Sequence, residues 1–334
     1  MELRRDPVTQ SWVIQEDSPD PWAPNGDCPL CPGKDLVSSQ ILYEYPYRQP
    51  DWQVRVVPHM RPLYRIEGDA QRRGVGLYDK MRSMGAHEII IETPNHLGAY
   101  SRLSDEHAGQ VLRAAASRIT DLKKDPRFRY VSFYRNQRHN ERRQRAIEHP
   151  HAEITATPFI PRRIVYELRS ALRYFELKER CLLCDILKQE LSQQSRTVEW
   201  DDRYVALCPF ASRAPYETWI LPTNHHHSFE EDVAGWEEQL HLARFVKSII
   251  RRIESVAPDY DLVLHTAPNA KAKFDKTNNW QSLEHDFHWH IEILPVESVS
   301  SKPYSVKEVS YNSLLPEVAA RELRNVSLSA EVNR

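Results

Sequence analysis

The sequence Ile147-Glu-His-Pro-His-Ala-Glu-Ile154 places two histidines, His149 and His151, two residues apart in an apolar frame. Side chains alternate along a β-strand, so residues i and i+2 project from the same face. One imidazole can then hold a metal ion while the other faces a ligand. The same pattern returns at Phe287-His-Trp-His-Ile-Glu-Ile-Leu294, which indicates that the chain uses this strand twice.

The chain has 334 residues, of which 40% are apolar and 28% charged, and its formal net charge is −2. This length favours two domains or one large duplicated unit. The balanced charge gives no general attraction to nucleic acid or to an anionic membrane, so we expect neither as a partner. No apolar run approaches the ~20 residues that span a bilayer, and the N-terminus lacks the apolar segment of a signal peptide. We therefore expect a soluble cytoplasmic protein.

Four of the five cysteines form two pairs, Cys28-Pro-Leu-Cys31 and Cys181-Leu-Leu-Cys184. Cysteines paired at this spacing in a cytosolic protein indicate metal ligands rather than disulfides. The fifth, Cys208, lies in an apolar run, so we expect it in the core.

The two halves of the chain repeat one order of parts: a cysteine pair, a single histidine and a His-x-His pair. The members are Cys28, Cys31, His96, His149 and His151 in the first half, and Cys181, Cys184, His225, His288 and His290 in the second. Unequal spacing between the copies is typical of loop insertions after a duplication. We expect one domain over residues 1–165 and another over residues 166–334.

Local patterns predict mixed α+β units. Predicted strands, bounded by Pro and Asn, cover residues 87–92, 129–134, 216–221 and 259–265. Predicted helices begin at Asp105 with Ser104 as the cap, carry an apolar stripe from Trp236 to Ile253, begin again at Pro316, and bridge the halves over residues 162–180.

Two cysteines and two histidines make the tetrahedral ligand set that zinc prefers. The first predicted set is Cys28, Cys31, His96 and His149; the alternative is that these histidines are ordinary core or surface residues. The matching second set is Cys181, Cys184, His225 and His288, although the run His225-His226-His227 leaves open which ring binds. A harder donor set, Glu167, His265, His288 and His290, suits iron or zinc. The thiolates favour the cysteine set.

Taken together, these residues resemble the galactose-1-phosphate uridylyltransferase family of the histidine-triad superfamily over nearly the whole chain. The stretches that carry the resemblance are Leu3-Arg-Arg-Asp-Pro-Val-Thr-Gln-Ser-Trp-Val-Ile14, Cys28-Pro-Leu-Cys-Pro-Gly33, Glu88-Ile-Ile-Ile-Glu-Thr-Pro-Asn-His96, Phe133-Tyr-Arg-Asn136, His149-Pro-His151, residues 209–222 and Phe287-His-Trp-His-Ile-Glu-Ile-Leu-Pro295. The resemblance implies two duplicated histidine-triad-like domains, each a mostly antiparallel sheet with flanking helices.

The resemblance also implies a ping-pong transfer of UMP from UDP-glucose to galactose 1-phosphate. His151 occupies the position of the nucleophile that forms a covalent nucleotidyl-histidine, while His149 holds the zinc. Asn136 matches a substrate-binding position. The implied partners are a nucleotide sugar, a sugar 1-phosphate and a second copy of the chain in a homodimer.

The chain departs from the family where the substrate phosphates bind. Glu153 stands where the family has a glutamine that donates to phosphate; an ionised Glu153 would repel phosphate, whereas a protonated one, with a raised pKa, would donate. A small glycine- and serine-bearing stretch is replaced by residues 136–148, where Arg142 and Arg143 are expected to bind phosphate, unless this is only a solvated charged loop. These departures predict an altered substrate, a weak activity, or both.

Two other functions remain open at this point. One is an ADP-glucose phosphorylase or dinucleoside polyphosphate phosphorylase, which would use the same histidine with phosphate as the acceptor. The other is a non-enzymatic, zinc-stabilised protein that binds nucleotides, or RNA through the arginines from Arg138 to Arg145.

Overall fold

Both His-x-His segments lie beside inner strands of one ten-stranded antiparallel sheet. The computed structural model describes residues 1–16, 28–34, 40–138, 147–272, 280–296 and 309–328. The strands are β1 Glu2–Arg5, β2 Trp12–Gln15, β3 Tyr43–Tyr45, β4 Val54–Pro58, β5 Arg73–Val75, β6 Tyr78–Arg82, β7 Ala86–Ile91, β8 Tyr130–Gln137, β9 His151–Thr157, β10 Thr197–Trp200, β11 Tyr204–Leu207, β12 Thr218–Pro222, β13 Tyr260–His265 and β14 His290–Pro295.

The large sheet has the order β10-β11-β12-β14-β13-β8-β9-β7-β4-β3, and a smaller sheet has the order β2-β1-β6-β5. Each half contributes five strands to the large sheet. Numbered along the chain within each half, these strands follow the order fourth, fifth, third, second and first outward from the central β13–β8 pair. The same strand order on both sides of β13–β8 confirms the predicted duplication. The two antiparallel units are joined edge to edge, because β8 of the first half pairs with β13 of the second.

The described residues form one short 3₁₀ helix, Tyr100–Arg102, and seven α-helices: α1 Asp105–Leu122, α2 Arg162–Lys178, α3 Leu182–Gln193, α4 Phe229–Asp232, α5 Trp236–Glu254, α6 Leu283–Asp286 and α7 Pro316–Asn325. The predicted cap is confirmed, since Ser104 Oγ accepts the backbone N–H of His107 at 3.1 Å. In these parts of the chain, no helix is long and apolar enough to cross a membrane.

The two faces of the large sheet have different coverings. Helices α1 and α5 pack on one face, the helix face, where Ala152, Ile154 and Ile291 join the main apolar core. Because side chains alternate, His151, Glu153 and His290 project from the opposite face, which we call the site face. Smaller apolar clusters under the cysteine segments and α2 cover parts of that face.

Arg135, buried on the helix face, forms an ion pair within the first half and a hydrogen bond to the second half. Nε of Arg135 on β8 donates to both carboxylate oxygens of Glu92 at 2.9 and 3.1 Å, and its Nη1 donates to the hydroxyl of Tyr260 on β13 at 2.8 Å. Arg135 is 3% exposed and Glu92 0%. A buried carboxylate needs such a partner, because an unpaired buried charge is strongly destabilising.

We expect Arg135→Met to lower the free energy of unfolding by about 3–5 kcal/mol, because it leaves the charge of Glu92 unpaired in the core. Denaturant-induced unfolding monitored by circular dichroism measures this loss. Lys124→Met is the control: it removes an exposed pair with Asp121 and should change the free energy by less than ~1 kcal/mol. Equal effects of the two substitutions would contradict the assignment.

Candidate active site and metal centres

His151 begins β9 on the site face, and its side chain is 11% exposed. Its Nδ1 lies 2.7 Å from the carbonyl oxygen of His149. Because a carbonyl only accepts hydrogen bonds, Nδ1 must carry the proton, and the lone pair of the neutral ring lies on Nε2. The geometry therefore leaves a lone pair on Nε2 of His151 that can act as a nucleophile.

Glu153 projects beside His151 and is held by two donors from neighbouring strands. Its Oε2 accepts the hydroxyl of Tyr134 at 2.7 Å and lies 2.6 Å from Nε2 of His87. Nδ1 of His87 accepts the backbone N–H of Leu63 at 3.1 Å, so the proton of this ring is on Nε2, where it is donated to Glu153. The second carboxylate oxygen, Oε1, lies 3.7 Å from Nε2 of His151.

These contacts decide the protonation of Glu153. Burial raises the pKa of the carboxyl, but the nearby ring of His151 and the hydrogen bonds from His87 and Tyr134 together hold it well below the usual range for glutamate. The protonated form considered from the sequence is therefore wrong, and Glu153 is an anion. It cannot donate to a phosphate oxygen as the glutamine of the family would.

Sequence reasoning did not find His59, His87 and Tyr134 as members of this site. The rings of His59 and His87 stack with centroids 4.1 Å apart and planes 12° apart, and burial and His87 lower the pKa of His59 to about 4. The predicted strand 87–92 already contained His87, so the sequence indicated that this histidine lies in the sheet. The pairing of that strand with β9 was not visible from local patterns.

The first cysteine cluster has tetrahedral dimensions. Nδ1 of His149 lies 3.7 Å from the sulfurs of Cys28 and Cys31, and Nδ1 of His96 lies 3.6 Å from that of Cys31. Zinc bonds of about 2.3 Å to sulfur and 2.0–2.1 Å to nitrogen put tetrahedral S···N distances near ~3.6 Å. Nε2 of His149 donates to the carbonyl of Thr93 at 2.7 Å, which leaves Nδ1 free to bind a metal ion.

The second cluster repeats this arrangement. Cys184 Sγ lies 3.3 Å from Nδ1 of His225 and 3.4 Å from Nδ1 of His288, and Cys181 Sγ lies 4.0 Å from the latter. Nε2 of His225 donates to the carbonyl of Glu284 at 3.0 Å, and Nε2 of His288 to that of Pro222 at 3.1 Å. His225 is thus the ring of the histidine run that joins the cluster.

The raised pKa of one cysteine in each cluster also favours a bound cation. Burial, with Cys31 as a further cause, raises the pKa of Cys28, and the neighbouring Cys181 raises that of Cys184. Two thiolates side by side therefore need a positive ion to be stable. The donor sets fit a tetrahedral metal ion that prefers nitrogen and sulfur.

The alternative set with Glu167, His265, His288 and His290 does not form as predicted. His288 belongs to the cysteine cluster, and Glu292 takes its place beside the other three residues, with ligand atoms within 4.8 Å of one another. Both oxygens of Glu292 already accept from guanidinium groups: Oε1 from Arg163 at 2.9 Å and Oε2 from Arg213 at 2.6 Å. Two adjacent positive charges oppose a metal cation, so this donor set fits iron poorly.

The predicted substrate-binding residues are only partly described. Asn136 is exposed on β8, on the site face and two residues beyond Tyr134. Arg142 and Arg143 lie outside the described residues. Cys208 is buried at 0% exposure in the main core, as expected.

Comparisons with known proteins agree with this geometry. Residues 167–332 match the family model described as galactose-1-phosphate uridyl transferase, C-terminal domain. The chain is 26% identical over 346 residues to ADP-glucose phosphorylase of Arabidopsis thaliana, covering 98% of this chain and 93% of that protein. It is also 26% identical over 338 residues to galactose-1-phosphate uridylyltransferase of Thermotoga maritima, covering 98% and 99%. A solved structure of a uridylyltransferase superposes with a TM-score of 0.80 at 25% identity, covering 97% of each chain.

Proposed function

The chain belongs to the galactose-1-phosphate uridylyltransferase family, and we propose that it is a nucleotidyltransferase that works through His151. The preferred reaction moves a uridylyl group from UDP-glucose to a hexose 1-phosphate. The observation that carries the proposal is the free Nε2 of His151, fixed from behind by the His149 carbonyl 2.7 Å from Nδ1. In this proposal residues 1–165 supply the nucleophile and one metal centre, and residues 166–334 supply the second.

The residues account for two matched half-reactions. Nε2 of His151 attacks the α-phosphorus, and the bond to the leaving sugar phosphate breaks with its electron pair on the departing oxygen. The acceptor sugar phosphate then attacks the same phosphorus, and the electron pair of the P–N bond returns to Nε2. Nδ1 keeps its proton and its hydrogen bond to His149 throughout, so the ring stays aligned.

We propose zinc for both cysteine clusters, because cysteine and histidine in a tetrahedron are its preferred ligands. Bound zinc would fix the segment that precedes β9 and hold His149, without touching the substrate. The family relationship also leads us to propose a cytoplasmic homodimer.

A second candidate activity is that of an ADP-glucose phosphorylase. It is favoured by the 26% identity to the Arabidopsis thaliana enzyme of that name over almost the full length of both chains. The nucleophile and the covalent step would be the same, with an adenylyl group transferred and inorganic phosphate as the acceptor.

Mixing the protein with UDP-glucose, without an acceptor, should add the mass of one uridylyl group to a peptide that contains His151. Intact-mass and peptide mass spectrometry measure the adduct, and His151→Ala should form none. An adenylyl adduct from ADP-glucose alone would establish the second activity. If neither sugar nucleotide labels the wild-type protein while both bind, the chain is a binding protein and the proposal fails.

The purified protein should contain two zinc ions per chain, one for each Cys₂His₂ cluster. Cys31→Ser and Cys184→Ser should each remove one ion and lower the melting temperature, because each takes away a ligand. Cys208→Ser is the matched control, since Cys208 belongs to neither cluster, and should keep both ions. Elemental analysis by inductively coupled plasma mass spectrometry measures the counts, and unchanged zinc in either cluster variant would contradict the assignment.

A further inference from the structure

We propose that Glu153 stabilises the positive charge of the covalent nucleotidyl-histidine, and that His87 and Tyr134 are positioning residues that aim it at His151. The inference rests on the proposed function and extends it to residues on two neighbouring strands. In this inference the glutamate at position 153, where the family has glutamine, takes part in the reaction and does not impair it.

The first support is the orientation of the carboxylate. Both donors, the Tyr134 hydroxyl and Nε2–H of His87, bind the same oxygen, Oε2, at 2.7 and 2.6 Å. This leaves Oε1 directed at Nε2 of His151, 3.7 Å away. A side chain held by two donors at one oxygen has little freedom to turn, so its charge remains beside the reacting nitrogen.

The second support is that the donors are themselves fixed. His87 lies on β7, is 5% exposed and receives the backbone N–H of Leu63 at Nδ1. Tyr134 on β8 pairs directly with Glu153 on β9. His59 stacks on His87 and likewise accepts a backbone N–H, that of Arg61, at Nδ1 over 3.0 Å. The segment 59–63 therefore sets the tautomers of both rings.

The ligand atoms of His59, His87 and Glu153 also lie within 4.8 Å of one another. The tautomers of the two histidines nevertheless distinguish this group from the two cysteine clusters. His149, His225 and His288 turn Nε2 to carbonyl oxygens and keep Nδ1 free to bind a metal ion. His59 and His87 do the reverse, so their Nε2 atoms carry protons and are donors. We therefore infer a set of hydrogen-bond donors around an anion rather than a third metal centre.

The chemical role follows from the electron count. When Nε2 bonds to the α-phosphorus and the sugar phosphate leaves, the ring holds a bond at Nε2 and a proton at Nδ1 and so carries a positive charge. An anion at Oε1 attracts this ring cation, and in the proposal this attraction outweighs the repulsion between the carboxylate and the phosphoryl group. Glu153 therefore shifts the balance of the first half-reaction towards the covalent intermediate. When the acceptor takes the nucleotidyl group, the ring becomes neutral again.

The test compares five variants with the wild-type protein: Glu153→Gln, His87→Leu, His87→Gln, Tyr134→Phe and Tyr100→Phe. Each is mixed with the sugar nucleotide that labels the wild type, and the labelled fraction, kcat and KM are measured, with circular dichroism to verify the fold. We expect Glu153→Gln and His87→Leu to lower kcat and the ratio of labelled to unlabelled protein by roughly tenfold or more, with KM within about twofold. Tyr134→Phe should have a smaller effect in the same direction.

Two variants separate this role from a purely structural one. His87→Gln can still donate to Glu153 and should recover part of the loss seen in His87→Leu. Tyr100→Phe removes a buried hydroxyl whose bond to the Ala108 carbonyl is long, at 3.5 Å, and should match the wild type. A rise in kcat for Glu153→Gln, or equal losses for both His87 variants, would overturn the inference. If the wild type forms no adduct at all, the proposed function itself fails and this inference with it.

Discussion

The hydrogen bond from Nδ1 of His151 to the carbonyl oxygen of His149, at 2.7 Å, connects the first cysteine cluster to the proposed nucleophile. His149 does two things in this arrangement. Its ring joins the cysteine cluster, while its carbonyl fixes the proton of His151 on Nδ1. The position of the reactive nitrogen therefore depends on the same residue that the metal-binding cluster holds in place. This explains the spacing of two residues: His149, just before β9, reaches the cysteine cluster, while His151 begins the strand.

The sequence was sufficient for part of the strands and helices and for the residues of both cysteine clusters. The predicted strands appear as β7, β8, β12 and β13, and the helix predicted to begin at Asp105 does so, because alternation and capping are local signals. Cross-strand partners were not predictable in the same way. Strand pairing places Glu153 opposite Tyr134 and β8 beside β13. The local sequence pattern predicts neither pairing. The same limit explains why the alternative carboxylate-containing set included His288 instead of Glu292.

Comparison of the two halves shows how one pattern acquires two environments. His290 repeats the contact of His151, with Nδ1 donating to the His288 carbonyl at 3.2 Å, and Glu292 follows it as Glu153 follows His151. Glu292, however, binds the guanidinium groups of Arg163 and Arg213. The side chain of His290 is 3% exposed, and burial, together with His265, lowers its pKa to about 4. The second copy is thus a buried, neutral imidazole, whereas the side chain of His151 in the first copy is 11% exposed.

The β8–β13 pairing has a consequence for the chain as a whole. β8 is the edge strand of the first half and β13 that of the second. Their pairing, from Tyr260↔Gln137 to Leu264↔Phe133, satisfies backbone hydrogen-bonding groups of both strands. A fragment cut between the halves would present that edge without its partner, and bare edges recruit other chains. Fragment complementation is the natural outcome when both pieces are made together, and aggregation when one is made alone. Because β8 and β13 cover each other, the chain satisfies within one molecule a strand pairing that either half alone would leave open.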